Sequence, residues 1–195
     1  MLGRVWVFMN DLDPSEAAAQ PLRDLEMPVG LVRESDEVFY SSASVSRLDR
    51  SMIDFLKRRS LANRRRRARI CVHPSAQDGL HEMLIVHHRD VYVRPHWHIG
   101  KSESLHVVEG RGRARLFAND GAVTETIELG PLDSGKPYFY RIAERICHSL
   151  SIESEWLVFH EVTSGPFNPN ATRFPDWAPH ESDLSGRAQF DARLR

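Results

Sequence analysis

The sequence is poor in cysteine. It has only Cys71 and Cys147 and no Cys-x-x-Cys pair, which fits a reduced, cytoplasmic protein rather than a disulfide-stapled scaffold. It has no apolar run approaching the ~20 residues of a membrane span, so no membrane association is expected. Val5 to Met9 is the only apolar patch near the start. It is followed by acidic residues and has neither the length nor the cleavage site of a secretory leader. Charge of one sign is missing too. Twenty-six Lys and Arg against 27 Asp and Glu leave a formal net charge of -1, so no global field draws the protein to nucleic acid. Repeated βα alternation is absent, which removes the parallel α/β architectures.

What remains is 195 residues, 41% apolar, enough for one domain with extensions. Residues 1–36 read as an N-terminal extension of little order, with Met27 an alternative start. Residues 37–66 read as a strand and a helix. Glu37 to Ser41 is the strand, and from Ser46 the apolar residues Leu48, Met52, Phe55 and Leu56 recur at helical spacing, with Ile53 widening the stripe. Burying Met52, Phe55 and Leu56 against a sheet would stabilise by about 1.5–3 kcal/mol each.

From Arg67 to Thr163 the pattern is β throughout. Alternation in Arg67 to His73 puts Arg67, Arg69, Cys71 and His73 on one face and Ala68, Ile70 and Val72 on the other. If the arginine row faces inward it lines a pocket and waits for an anion; if outward it is a solvated face. Strands are expected over 82–87, 91–98, 104–108, 114–117, 123–129, 137–142, 146–152 and 156–162. Asn119-Asp120-Gly121 marks a hairpin. Many short strands with Gly and Pro turns mean an all-β sandwich or barrel. Residues 164–195 form a Pro-rich, aromatic and irregular tail, frayed from Glu181 onward; Phe167, Phe174 and Trp177 are too apolar for a free tail and are expected to lie on the barrel or cover its mouth.

The chemistry is concentrated in His96-Trp97-His98-Ile99-Gly100-Lys101-Ser102-Glu103. On a strand, histidines two residues apart point to the same face. Gly100 permits a short turn that brings Glu103 beside them. His, His and Glu are three of the donors of a first-row transition-metal site, and His148 is the candidate for the fourth. Cys147, next to it, would point the other way and serve as a core thiol. The remaining histidines, His87, His88, His106 and His180 among them, read as surface or pocket-rim residues.

This spacing, His-x-His, Glu103 and then Gly110, resembles the first cupin motif. The glycine that usually opens it is Asp90 here. Phe139 to Leu150 resembles the second cupin motif, with His148 in the ligand slot and without the usual Pro-x-Gly. Further stretches resemble the WbuC family of cupin-fold metalloproteins: Arg67-x-Arg69-x-Cys71-x-His73, Glu82-Met83-Leu84-Ile85, Tyr92-Val93-x-Pro95-His96-x-His98, Lys101-x-Glu103, Gly165-Pro166-Phe167 and Trp177-Ala178-Pro179. The resemblance implies a cupin jelly-roll β-barrel holding one divalent ion (Fe, Mn, Ni, Co or Zn) and an association with O-antigen and other surface polysaccharides.

The function expected is therefore a metal-dependent isomerase- or epimerase-like enzyme acting on a sugar or sugar nucleotide. The alternatives are a metal-containing sugar-binding or sensing module without turnover, or an Fe(II) dioxygenase. Glu82 is the candidate general base, and Tyr92 and Tyr140 are candidates to hold the imidazoles or the substrate. Arg67, Arg69, His73 and Lys101 would hold the substrate's negative group. A homodimer is the expected assembly, formed by adding an N-terminal strand to a neighbour's sheet edge.

Overall fold

Two long strands carry the architecture. In the computed structural model, which describes residues 26–143 and 145–194, β6 (Glu103–Phe117) and β9 (Cys147–Ser164) pair antiparallel along most of their length. Each was expected as two separate strands. They stay continuous because bulges bend them without ending them: the pairing shifts register between Val107 and Glu109 and between Gly110 and Gly112. Gly110 sits at φ 86°, where a Cβ would stand 1.9 Å from the Trp156 carbonyl oxygen. Only glycine fits there. The Ser154 hydroxyl accepts the neighbouring Arg111 N–H at 2.8 Å and so satisfies a donor the bulge would orphan.

The other strands hang on this pair. They are β1 (Leu31–Arg33), β2 (Val38–Ser41), β3 (Arg67–Cys71), β4 (Leu80–His88), β7 (Val123–Leu129) and β8 (Phe139–Ile142). The eight-stranded sheet runs β1-β2-β3-β4-β9-β6-β7, with β8 also on β6; β2 and β3 are parallel, the other pairs antiparallel. A separate short ribbon pairs β5 (Trp97–His98) with β10 (Thr172–Arg173). The expected strand over 91–98 is reduced to this ribbon and one bridge. Pro95 has no N–H for a ladder, and the Val93 carbonyl accepts from the Ser149 hydroxyl at 2.7 Å instead.

Both faces of the sheet are apolar. Helix α1 (Arg50–Ala62) starts at Asp49, whose carboxylate accepts from the Ser51 and Met52 N–H groups. It buries Ile53, Phe55 and Leu56 against Phe39, Ala68, Ile70, Leu84, Val86 and Val158 on the outer face. The inner face holds Cys71, Met83, Ile85, Leu105, Val107, Leu157 and Phe159. Odd residues of β3 and β4 therefore point into the barrel and even ones toward α1. This settles the arginine row: it faces inward, because Ala68 and Ile70 are needed under the helix. The basic run leading into it is a turn, with Arg66 at φ 54° and the Asn63 amide bonded to the Arg59 and Arg67 carbonyls.

The C-terminal tail is more ordered than its polarity suggests. Residues 184–193 form α2 (Leu184–Arg193), with Asp183 as its N-cap and Phe190 buried to 4% exposure beside Tyr92 and Phe117. Only Phe190 of its residues is buried and its large apolar residues, Leu184 and Phe190, are not at helical spacing, so a frayed end was the natural expectation. Of the extension read over 1–36, residues 1–25 lie outside the described residues; β1 begins at Leu31, whose side chain is buried.

Candidate metal centre

Three pieces of backbone bring the donors together. His96 forms an isolated bridge with His148 at the start of β9, and His98 lies in the β5–β10 ribbon. Glu103 opens β6 opposite Thr163. The turn between them uses Gly100 at φ 65°. His98 Nε2 stands 3.0 Å from Glu103 Oε2, and His148 Nε2 stands 2.8 Å from Glu103 Oε1. One donor atom from each of His96, His98, Glu103 and His148 falls within 4.8 Å of the others. Donors about 2.1 Å from one ion lie up to about 4.2 Å apart, so the cluster is close to a coordination sphere.

The proton positions fit an ion as well. His96 Nδ1 donates to the Arg94 carbonyl and His148 Nδ1 to the Ile146 carbonyl, each at 2.8 Å. Those bonds fix the tautomers and leave both Nε2 lone pairs aimed at the centre. The Thr172 hydroxyl stands 3.1 Å from His98 Nδ1. His148 Nε2, despite its distance to Glu103, is off the line a hydrogen bond needs and is buried without a partner. A buried lone pair with no donor is what a cation would satisfy.

The charge states of His96 and Glu103 agree. Burial lowers His148, but the Glu103 carboxylate outweighs it and pushes His148 up, leaving a proton that an ion would have to displace. Burial, with help from the neighbouring imidazoles, pulls His96 down to about 4. Burial would raise Glu103, but the imidazoles of His148 and His98 outweigh it and hold the carboxyl well below the usual range. A neutral imidazole beside an ionised carboxylate is the ligating form of each.

The cluster opens on a cavity of about 300 Å³. Arg67 and Arg69 line it, as the inward row requires. Arg67 is paired with Glu37 at 3.3 Å, whereas Arg69 Nε is buried without a partner among the described residues. Lys101 and Tyr140 are not on the wall. Lys101 lowers the proton affinity of Glu161 through space, and Tyr140 packs in the inner core behind Glu103. His73 is turned away, stacked on His81 at 4.2 Å with its Nδ1 on the Glu82 backbone.

The two expected catalytic residues are not brought to the cavity. Glu82 has the parity of Leu84 and Val86, so it faces outward, 3.9 Å from His160 Nε2. Tyr92 donates its hydroxyl to the Pro179 carbonyl at 2.9 Å, pinning the tail. Cys147 packs beside Tyr92 and Phe117, and burial pushes its thiol up to about 11.

Sequence reasoning missed other cavity residues. Glu161 lines the cavity on the strand next to Glu103; burial and the nearby Glu103 charge push its carboxyl up to about 7. It has the parity of Leu157 and Phe159, which is the signal that could have found it. His87, in step with Met83 and Ile85, was readable the same way. It is buried with Nδ1 unpartnered, and burial pulls it down to about 3. Phe174 and Arg94 close one side: the guanidinium lies 4.6 Å from the ring centroid and bonds the Ala178 carbonyl. Phe174 was expected from its apolarity to lie on the barrel or cover its mouth; no sequence pattern places Arg94 beside it, because their meeting depends on where the tail returns.

The fold is an all-β jelly roll with a helix on its outer face. A family profile described as a domain of unknown function, DUF6016, matches residues 48–129, from just before α1 to the end of β7, and includes His96, His98 and Glu103. No curated protein matches the chain. Solved structures match it in part. A point mutant of Bacillus subtilis oxalate decarboxylase OxdC is 19% identical with a TM-score of 0.41, over 50% of this chain and 24% of that one. CapF, solved with the inhibitor 3-isopropenyl-tropolone, is 20% identical with a TM-score of 0.44, over 54% of this chain and 30% of that one. A Shewanella oneidensis protein is 14% identical with a TM-score of 0.44, over 62% and 74%. The chain spans less than a third of the length of OxdC and of CapF. No helix among the described residues is long and apolar enough to cross a membrane.

Proposed function

We propose that the protein is a metal-dependent enzyme of the isomerase or epimerase type, acting on an anionic sugar derivative. The observation that carries the reading is the His96–His98–Glu103–His148 cluster opening on a cavity also lined by an unpartnered guanidinium nitrogen, Arg69 Nε, and the Glu161 carboxyl. A divalent ion held by the four donors would supply Lewis acidity toward a carbonyl or hydroxyl.

The chain's own residues supply the rest. Arg69 binds the substrate's carboxylate or phosphate through its fork, with Lys101 adding charge. Glu161, rather than Glu82 or Tyr92, takes and returns a proton, since its carboxyl lines the cavity and burial pushes it up. His87 offers a neutral nitrogen to a substrate hydroxyl. Phe174 and Arg94 restrict water at the mouth.

The resemblance to WbuC-type cupins supports a cytoplasmic role in surface-polysaccharide assembly. The edge of β1, unpaired among the described residues and with Val32 55% exposed, suits addition of a second copy as a homodimer. The test is elemental analysis of untreated protein, followed by thermal melting of metal-loaded protein against sugar nucleotides and sugar acids. One of the panel should raise the melting temperature and then be converted. No shift across the panel would end the reading.

A further inference from the structure

A second cavity adjoins the first, and the wall between them is a single ion pair. Arg65 and Glu181 line both spaces, with Arg65 Nη2 2.8 Å from Glu181 Oε1. The second space, about 290 Å³, is built by three distant segments, the turn after α1, the loop after β4 and the tail that enters α2. Arg64, Arg65, Tyr92, His180, Ser182 and Arg187 face it.

Of its two acids, Glu181 is held by Arg65, which also reaches Glu37 at 3.5 Å, while Asp90 is exposed at the rim and donates its backbone N–H to His88 Nδ1. Two cations are left. Arg187 lies flat on the Tyr92 ring, 4.8 Å from its centroid, and donates one nitrogen to the Glu181 carbonyl, but its Nε is buried without a partner. Arg64 is exposed at the rim. Surplus N–H donors converging from two segments, facing one exposed carboxylate at the rim, match an anion with several oxygens better than a single carboxylate.

We propose that this second cavity binds a phosphate or diphosphate group, and that it belongs to the same ligand whose sugar reaches the metal centre. The substrate class is then a sugar carrying a diphosphate rather than a free sugar or sugar acid. This rests on the reading of the first cavity given above and extends it. Glu181 and Arg65 become the point where the ligand crosses from one space to the next. The tail segment Ala178–Ser182, fastened by Arg94 and Tyr92, is the outer wall of both.

The probe is inorganic pyrophosphate, titrated calorimetrically into the full-length metal-loaded protein. Binding should be measurable, and Arg64→Ala and Arg187→Ala should each weaken it at least tenfold. Arg187→Ala removes packing on Tyr92 and can loosen α2; Arg64→Ala changes an exposed side chain and leaves the fold alone. His98→Ala, which empties the metal centre, should bind pyrophosphate as wild type does. No binding by wild type, or wild-type binding by Arg64→Ala, overturns the proposal. So does loss of binding in His98→Ala, which would put the anion on the metal. Failure of the metal reading looks different: untreated protein without metal, binding pyrophosphate at full strength through Arg64 and Arg187, sustains the second cavity and removes the first reading.

Discussion

His96 and His148 are joined by backbone as well as by the site they share. The His96 N–H donates to the His148 carbonyl at 3.0 Å, the His148 N–H donates to the His96 carbonyl at 2.8 Å, and the rings lie 4.4 Å apart. Donors far apart in the chain are thus set by two hydrogen bonds rather than by side-chain chance. Removal of one donor should leave this bridge intact and empty the site. His98→Ala, Glu103→Ala and His148→Ala should each lose bound metal by elemental analysis. Chelation should lower the wild-type melting temperature and leave that of His98→Ala unchanged. Full metal content in His98→Ala would contradict the assignment.

Arg69 and Arg67 should separate in a binding experiment. Arg67 is tied to Glu37, while Arg69 Nε has no partner among the described residues. Arg69→Ala should weaken the ligand at least tenfold, about 1.4 kcal/mol or more, with metal content unchanged. Equal effects at both positions would remove Arg69 from its special role.

Glu161 gives a pH signature in metal-free protein. Its folded pKa, about 7, lies above the ordinary 4.5 of a glutamate. A raised pKa contributes stability that is whole below about 4.5 and is lost as pH rises through about 7. Glu161→Gln should therefore narrow the gap in unfolding free energy between pH 5 and pH 8, by up to about 3 kcal/mol. Denaturant titrations at the two pH values measure it, and an unchanged gap would refute the assigned burial.

Gly110 should tolerate no side chain. Its positive φ and the 1.9 Å approach of the Trp156 oxygen mean that Gly110→Ala must open the bulge. A loss of roughly 2–4 kcal/mol in chemical denaturation is expected. A loss below about 1 kcal/mol would show that the bend does not depend on glycine.

Phe190 tests the ordered tail. It contacts Tyr92, which holds Pro179. Phe190→Ala should cost about 3–4 kcal/mol and expose residues 180–194 to protease. Unchanged proteolysis would show that α2 is held by something else.

Alternation alone made much of this legible. The strand-rich barrel, the hairpin at Asn119-Asp120-Gly121 and the helix over Met52 to Leu56 followed from periodicity. His96, His98 and Glu103 followed from spacing, because all three lie within one turn of chain. The same parity rule would have yielded Glu161 and His87, and would have turned Glu82 outward, had β4 and β9 been read against a known inner face. What alternation cannot supply is which of two equally apolar faces is the inner one.

The sequence by itself determined the local chemistry: a β-rich chain, three donors in a short segment, and a glycine where β6 must bend. Only the tertiary structure decided what that segment meets. The packing of α1 on Ala68 and Ile70 forced the arginines inward, the antiparallel return of β9 delivered His148 and Glu161, and the tail came back over the mouth with Phe174 and Glu181. Each of these depends on contacts between residues far apart in the chain. The short-range periods of helix and strand carry no record of such contacts, since they are chosen by how apolar surface is buried in the whole molecule.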